Sequence, residues 1–236
     1  MSTTGKFSDN IKNNKNDIIK YFCEFLGTFT LVIFAAGAVI VDSLTAGSLG
    51  PVGCGLISGI IVAAIIYTFV NISGAHINPA LSITATLLGY LDKRLLIGYI
   101  IAQMTGSALA GFCLLWFLGN HANIGANVPN NQLNISTSTV FIIEFFLALI
   151  LMLIIAATGF DKRAHKHTAG LIIGGVVAIE VMLMGPVSGA AMNPARAFGP
   201  YLASGNIDNY WIYVLAPVAG MLTGGGIFRL THFIKK

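Results

Sequence analysis

The sequence predicts an all-α membrane protein: six transmembrane helices plus two re-entrant half-helices, arranged as an inverted repeat. Three observations carry this. First, the 236 residues are 56% hydrophobic and only 9% charged, against about 25% charged in a soluble domain. Second, residues 43–91 and 95–143 contain no Lys, Arg, Asp or Glu, and each block exceeds the about 20 residues needed to cross a bilayer as helix. Third, a short motif occurs twice inside apolar sequence, as Ser73-Gly74-Ala75-His76-Ile77-Asn78-Pro79-Ala80 and Ser188-Gly189-Ala190-Ala191-Met192-Asn193-Pro194-Ala195. A β-barrel is disfavoured, because no stretch alternates apolar and polar residues and the 27 glycines suit close helix packing in lipid.

Taken in order, residues 1–20 form a polar tail with four Lys and four Asn, expected to be disordered or surface-bound. The first repeat covers 21–118, with spans at about 21–41, 52–72 and 95–118 and a half-helix at 79–88. A connecting loop follows at 119–137. The second repeat covers 138–230, with spans at about 138–158, 169–186 and 210–230 and a half-helix at 194–203; residues 231–236 close the chain. Each half-helix is near ten residues, about 15 Å long and so half a membrane. Both begin at Asn-Pro-Ala, with Asn as cap and Pro at the first helical position. An amphipathic surface segment is the bland alternative, but both are too apolar for it.

Basic residues set the orientation. Lys6, Lys12, Lys15 and Lys20, then Lys93 and Arg94, then Lys162, Arg163 and Lys166, and finally Arg229, Lys235 and Lys236 all fall on one side of a six-span arrangement. The opposite loops, 42–51, 119–137 and 204–209, contain no Lys or Arg. Positive-inside then puts both termini in the cytoplasm and 119–137 outside. The net charge of +4 thus follows topology and an anionic inner leaflet rather than nucleic acid. Arg196 alone breaks the pattern, directly after the second Asn-Pro-Ala.

The halves echo each other. Glu24-Phe25-Leu26-Gly27-Thr28 resembles Glu144-Phe145-Phe146-Leu147-Ala148, and Ala102-Gln103-Met104-Thr105-Gly106 resembles Ala216-Pro217-Val218-Ala219-Gly220. Three spans per half is an odd number, so the second half is flipped and the two Asn-Pro-Ala loops enter from opposite faces. Two short helices then meet N-terminus to N-terminus near the midplane, and their unpaired N–H groups make the centre electropositive. Asn78 and Asn193 would cap them and turn their amide NH₂ groups toward passing water as donors. Such a water accepts at both Asn, which breaks the chain needed for proton relay, and cations meet two positive helix ends. The buried carboxylates Glu24 and Glu144 would accept N–H groups of the re-entrant loops, whose backbone must be satisfied at membrane depth.

On Ser73–Ala80, Ser188–Pro200 with Asn193-Pro194-Ala195-Arg196, the paired Glu24 and Glu144, and Gln103, the chain resembles the aquaporin (major intrinsic protein) family over about residues 21–230. The resemblance implies an aquaporin-like fold and a homotetramer with one pore per subunit. It implies passive conduction of water, glycerol or other small neutral solutes, with protons and ions excluded. It also implies pore motifs at Asn78, Pro79, Ala80, Asn193, Pro194 and Ala195. Arg196 takes the filter arginine's position, where an always-charged guanidinium repels cations and binds a passing oxygen. By spacing from the motif asparagines, Ser58, Val181 and Ala190 take the other filter positions. Water-specific relatives place Phe and His where Ser58 and Val181 stand, so a wider, solute-permissive ring is expected; a strictly water-selective channel, gated by cytoplasmic segments, is the alternative. The markers split: Ala197 stands where glycerol facilitators place Asp, and Tyr213 resembles the water-channel branch.

The remaining polar residues divide. His76 reads as a vestibule residue of the first motif. His165, His167 and Thr168 lie in a cytoplasmic loop, read as a solvated basic loop or as a gate. Glu180 departs from the family pattern, and the sequence assigns it no partner. Cys23, Cys54 and Cys113, three in number and in apolar settings, read as free buried thiols. Asn134-Ile135-Ser136 is a sequon in the extracellular loop, so Asn134 is a candidate for glycan. No catalytic arrangement, metal-ligand spacing or cofactor motif is present, so no enzyme activity, metal, cofactor or nucleic-acid partner is expected. A secondary transporter is the remote alternative, since it would need a coupling-ion site. The partner is the bilayer, with the plasma membrane expected and an internal vacuolar or vesicle membrane as the alternative.

Overall fold

The computed structural model describes residues 3–161 and 163–233, with side chains described for 16–161 and 163–231. The side chains of Lys6, Lys12, Lys15, Lys162, Lys235 and Lys236, counted above among the cytoplasmic cations, lie outside the described residues. The described chain is helical and contains no strand. Eight helices follow one another: α1 (Thr3–Leu44), α2 (Gly50–Phe69), α3 (Pro79–Leu88), α4 (Leu96–Leu118), α5 (Thr137–Ile155), α6 (Ala169–Ser188), α7 (Pro194–Ser204) and α8 (Tyr210–Phe233). Six are long and apolar enough to cross a membrane; α3 and α7 are the short pair.

Three boundaries differ from expectation. The first helix begins before the span: its backbone runs from Thr3 through the polar segment expected to be disordered or surface-bound. The second span, expected to reach residue 72, ends as regular helix at Phe69, where the next turn tightens: the Ile72 N–H bonds the Phe69 carbonyl three residues back at 2.9 Å. The fourth span closes on a π-turn, Ala156–Phe160, where the Asp161 N–H reaches the Ala156 carbonyl at 3.0 Å.

The half-helices are bounded by their own sequence. Asn78 and Asn193 sit in extended conformation (φ −153° and −151°) and each side chain caps its helix. Pro79 and Pro194 occupy the first turn, where no N–H is needed. Gly89 and Gly205 end the helices at φ 83° and 74°.

Packing repeats between halves and interleaves them. α1 packs on α4 as α5 packs on α8, and α2 packs on α6 across the repeat. The half-helices cross over: α3 lies against α8, and α7 against α4. Small residues permit this. A Cβ on Gly106 would strike the Phe25 carbonyl, and one on Gly220 the Phe145 carbonyl, at matching places in the two halves. The outer faces carry exposed apolar side chains such as Ile60, Ile97, Trp116, Leu171 and Leu183. With six apolar spans, this is a multi-pass integral membrane protein.

Candidate functional site

The two re-entrant loops fold in the same unusual way. Ala75 and Ile77 have φ 49° and 45°, and Ala190 and Met192 have φ 44° and 53°. Left-handed backbone at non-glycine residues costs about 1–3 kcal/mol each and persists only where neighbours enforce it. Here the enforcement is a buried carboxylate. Glu24 accepts the Ser73 hydroxyl (2.7 Å), the His76 N–H (2.9 Å), the Ile77 N–H (2.6 Å) and the Gln103 amide (2.9 Å). Glu144 accepts the Ser188 hydroxyl (2.7 Å), the Ala191 N–H (3.0 Å) and the Met192 N–H (3.0 Å). Both carboxylates are fully buried, and hydrogen bonds to a charged acceptor are the strong kind. Tyrosines close each loop: the Tyr99 hydroxyl donates to the Ser73 carbonyl at 2.6 Å and the Tyr213 hydroxyl to the Ser188 carbonyl at 2.5 Å.

The motif asparagines lock the loops together. Asn78 Oδ1 accepts the Ala80 N–H (2.9 Å); Asn193 Oδ1 accepts the Ala195 N–H (2.9 Å) and the Arg196 N–H (3.3 Å). Each Nδ2 donates across the repeat, Asn78 to the Met192 carbonyl at 3.0 Å and Asn193 to the Ile77 carbonyl at 2.8 Å. This refines the expectation that both NH₂ groups serve only passing water: one proton of each is spent on the facing loop, leaving the other.

A continuous cavity of ≈ 1500 Å³ runs past these residues. Tyr90, Asp92, Lys166 and His167 line one end, Asp42, Asn123, Pro129 and Gln132 the other, with His76, Asn78, Asn193 and Arg196 between. Ser58, Val181 and Ala190 line it too, so all four expected filter residues face one channel. The Ser58 hydroxyl is turned onto the Cys54 carbonyl at 2.8 Å. His76 is buried, with Nδ1 3.1 Å from the Ser82 hydroxyl and its ring edge-on to Tyr99. At the Asp92 end, the Arg94 side-chain hydrogen bonds hold the Asp92 carboxyl down to about 2, so that rim keeps an ion pair at any physiological pH. Pro79, Ala80, Pro194 and Ala195 are buried in the half-helix starts behind the asparagines.

Arg196 is held by groups the sequence did not single out. Its Nη1 donates to the Gly125 carbonyl (2.8 Å) and to Asn127 Oδ1 (2.8 Å), and Nη2 to the Ala35 carbonyl (3.2 Å). Asn127 is itself fixed, donating from Nδ2 to the Gly189 carbonyl (2.6 Å) and accepting the Tyr201 hydroxyl at its own carbonyl (2.7 Å). The loop 119–137 therefore does not stay on the surface. It dips in through a left-handed turn, Ala122, Asn123, Ile124 and Gly125 at φ 48°, 51°, 55° and 66°, where a Cβ on Gly125 would strike the Ala36 backbone. Nothing in one sequence separates Asn127 from the other asparagines of that loop; only Gly125 and Pro129 mark it as bent.

Other expectations fare differently. Cys23 is buried, but Cys54 and Cys113 are partly exposed and Cys54 lines the cavity. The reading of three buried thiols is corrected for those two: α2 turns a face with Cys54 and Ser58 to the channel, and Cys113 lies partly exposed on α4. His167 lines the channel end, and its carbonyl accepts the Tyr67 hydroxyl at 3.0 Å. Thr168 donates to the His165 carbonyl at 2.9 Å. Both Thr168 and His165 are exposed. Asn134 is exposed at φ 51°, just before Ser136 caps α5.

Comparison with known proteins agrees with this geometry. The family model described as "Major intrinsic protein" matches residues 11–228. Aquaporin NIP3-1 of Oryza sativa subsp. japonica is 36% identical over 209 residues, 89% of this chain and 67% of that protein. Aquaporin NIP1-1 of Zea mays is 36% identical over 220 residues, 93% of this chain and 77% of that one. Among solved structures, the aquaglyceroporin from Plasmodium falciparum superposes with a TM-score of 0.80 at 25% identity, covering 90% of this chain and 95% of that one. Two capped half-helices meeting in a through-cavity, together with these matches, make this chain a member of the major intrinsic protein family of membrane channels.

Proposed function

We propose that the pore conducts water and also small uncharged solutes such as glycerol or urea, and rejects protons and ions. The observation that carries the solute range is the make-up of the wall: Ser58, Val181 and Ala190, none larger than valine, line the same channel as Arg196. The Ser58 hydroxyl proton is spent on its own helix, so this wall presents one acceptor oxygen beside the apolar Val181 and Ala190 and suits a carbon-bearing solute. That one solved relative is by name an aquaglyceroporin supports the same reading.

Charge exclusion is assigned to three features acting together. The Asn78 and Asn193 caps sit at the positive ends of two helices, and Arg196 adds a fixed cation. Pro79, Ala80, Pro194 and Ala195 serve by shaping the helix starts, and Glu24 and Glu144 by holding the loops. His76 serves as a vestibule residue. Both termini are assigned to the cytoplasm by the positive-inside rule, and the working unit to a homotetramer with one pore per subunit. His165, His167 and Thr168 are assigned to a cytoplasmic rim open to gating, and Asn134 to the outer face as a glycan acceptor. The plasma membrane is the proposed location.

Osmotic assays in proteoliposomes test the substrate range, with water, glycerol and urea run side by side on the parent and on Ser58→Phe/Val181→His. The parent should pass water and at least one solute. The double substitution should keep water and cut solute flux by roughly tenfold or more, as expected when a fitted pocket loses room. A parent that rejects both solutes, with selectivity untouched by the double substitution, would mean a strictly water-selective pore. A parent that shrinks no faster than empty liposomes would sink the open-channel reading.

A further inference from the structure

Glu180 lies in the middle of α6 and is 6% exposed. Both of its carboxylate oxygens are buried with no hydrogen-bond partner among the described residues. It does not line the channel, whereas its neighbours Val177 and Val181 do. Every other deep acid here is accounted for by named donors, four for Glu24 and three for Glu144. An ionisable side chain inside a membrane helix without a structural partner is a functional candidate.

Its surroundings specify the ligand. α6 packs on α2 and α5. From α2 the titratable residues are Cys54 and Tyr67, and α2 carries no acid or basic side chain. From α5 the acid is Glu144, and it is the group whose charge acts on Glu180. Arg196, in α7, acts instead on Glu144. Among the described residues no cationic side chain faces Glu180 and no cluster of metal-ligating groups includes it, so a metal ion would find one carboxylate with no second free ligand. A proton needs a single oxygen and changes the charge by one.

We propose that Glu180 is a proton-binding site whose charge state controls the second re-entrant loop. α6 carries Val181 on the channel wall and ends at Ser188, whose hydroxyl donates to Glu144 at 2.7 Å. With the proton bound, Glu180 is an uncharged side chain among apolar neighbours and leaves Glu144 undisturbed. When the proton leaves, a second negative charge is buried on the helix packed against the one that carries Glu144, with neither donor nor counter-charge, a costly arrangement. The relief available is movement of α6 away from α5. That movement shifts Val181 and slackens the Ser188 contact that supports the Ala190–Arg196 side of the ring. The acid form conducts; the alkaline form narrows.

This rests on the channel reading above, and the test separates the two. Water permeability of proteoliposomes is measured from acid to alkaline pH for the parent, Glu180→Gln and Glu180→Met. The parent should lose about fivefold or more on alkalinisation, the lower range of ordinary site-to-site coupling. Both variants should hold the parent's acid-side permeability at every pH. Should Glu180→Gln fail to assemble, Glu180→Met, apolar and of similar length, reads the same outcome. A parent with flat pH dependence overturns the proposal, and so does a variant that keeps the parent's profile, which would assign the pH response to another group. Absence of flux at all pH values in the parent strikes the channel reading instead.

Discussion

The two re-entrant loops share a backbone and differ in polarity, and the difference separates what builds the pore from what selects in it. Both carry a Gly and two non-glycine residues at positive φ in the same order, 74, 75 and 77 against 189, 190 and 192. In both, a buried Glu binds the loop N–H groups and a Tyr binds the serine carbonyl. Those groups recur because the same strained backbone must be satisfied twice at membrane depth. Beyond them the halves part. His76, Leu81, Ser82 and Gln103 in the first stand against Ala191, Arg196, Ala197 and Pro217 in the second. The first half builds a closed polar cluster, with Gln103 donating to Glu24 and to Ser82 at 2.9 and 3.0 Å. The second replaces it with small residues and one arginine, tied to Asn127 from the connecting loop.

The largest effect should come from the carboxylates. Glu144→Gln turns an NH₂ donor toward backbone N–H donors and loses charge-assisted bonds of about 1.5–3 kcal/mol each, so at least about 3 kcal/mol in all. Glu24→Gln should be milder by about 0.5–1 kcal/mol. The reason is Gln103: its Oε1, without a partner among the described residues, can accept from the new NH₂ once that amide flips, a gain reduced because its own NH₂ then turns away from Ser82. Thermal unfolding of the two variants in detergent reads the gap, and equal losses would remove Gln103 from the comparison.

A smaller effect tests the shared scaffold. Tyr99→Phe and Tyr213→Phe each delete one buried hydroxyl–carbonyl bond. Each should cost about 1–3 kcal/mol, because a buried serine carbonyl is left unpaired, and the two costs should agree within about 0.5 kcal/mol. The same melts measure this. A clearly unequal pair would show that the halves, though alike in geometry, do not bear equal load.

Much of this was legible in the sequence because it is local. The Asn-Pro pairs fix the starts of α3 and α7, and Gly89 and Gly205 their ends, by capping rules that act over a few residues. The charge-free blocks fix the spans through the thickness of the bilayer. What could not be read is long-range. Asn127 meets Arg196 across 69 positions, and the α3–α8 and α7–α4 crossings follow from packing of the two halves together. The end of α2 at Phe69 is a tightening of its last turn, with the Ile72 N–H on the Phe69 carbonyl, that no capping residue announces. The exposure of Cys54 to the channel follows from a helix rotation that an apolar span does not reveal, since α2 is hydrophobic nearly all round.

The central claim is that the halves supply a scaffold and a positive helix end in common, and that Arg196, where the first repeat has Leu81, adds a fixed charge from one side alone. Planar-bilayer recording of the parent and of Arg196→Val, with water flux measured in parallel, tests it most directly. Ala35, Gly125 and Asn127, whose oxygens Arg196 now binds, line the channel, where water can take up the vacated bonds, so the variant should fold and water flux should persist. Proton or small-cation current, absent in the parent, should appear once the positive barrier is gone. An ionic leak in Arg196→Val no greater than the parent's, with water flux intact, would contradict the account.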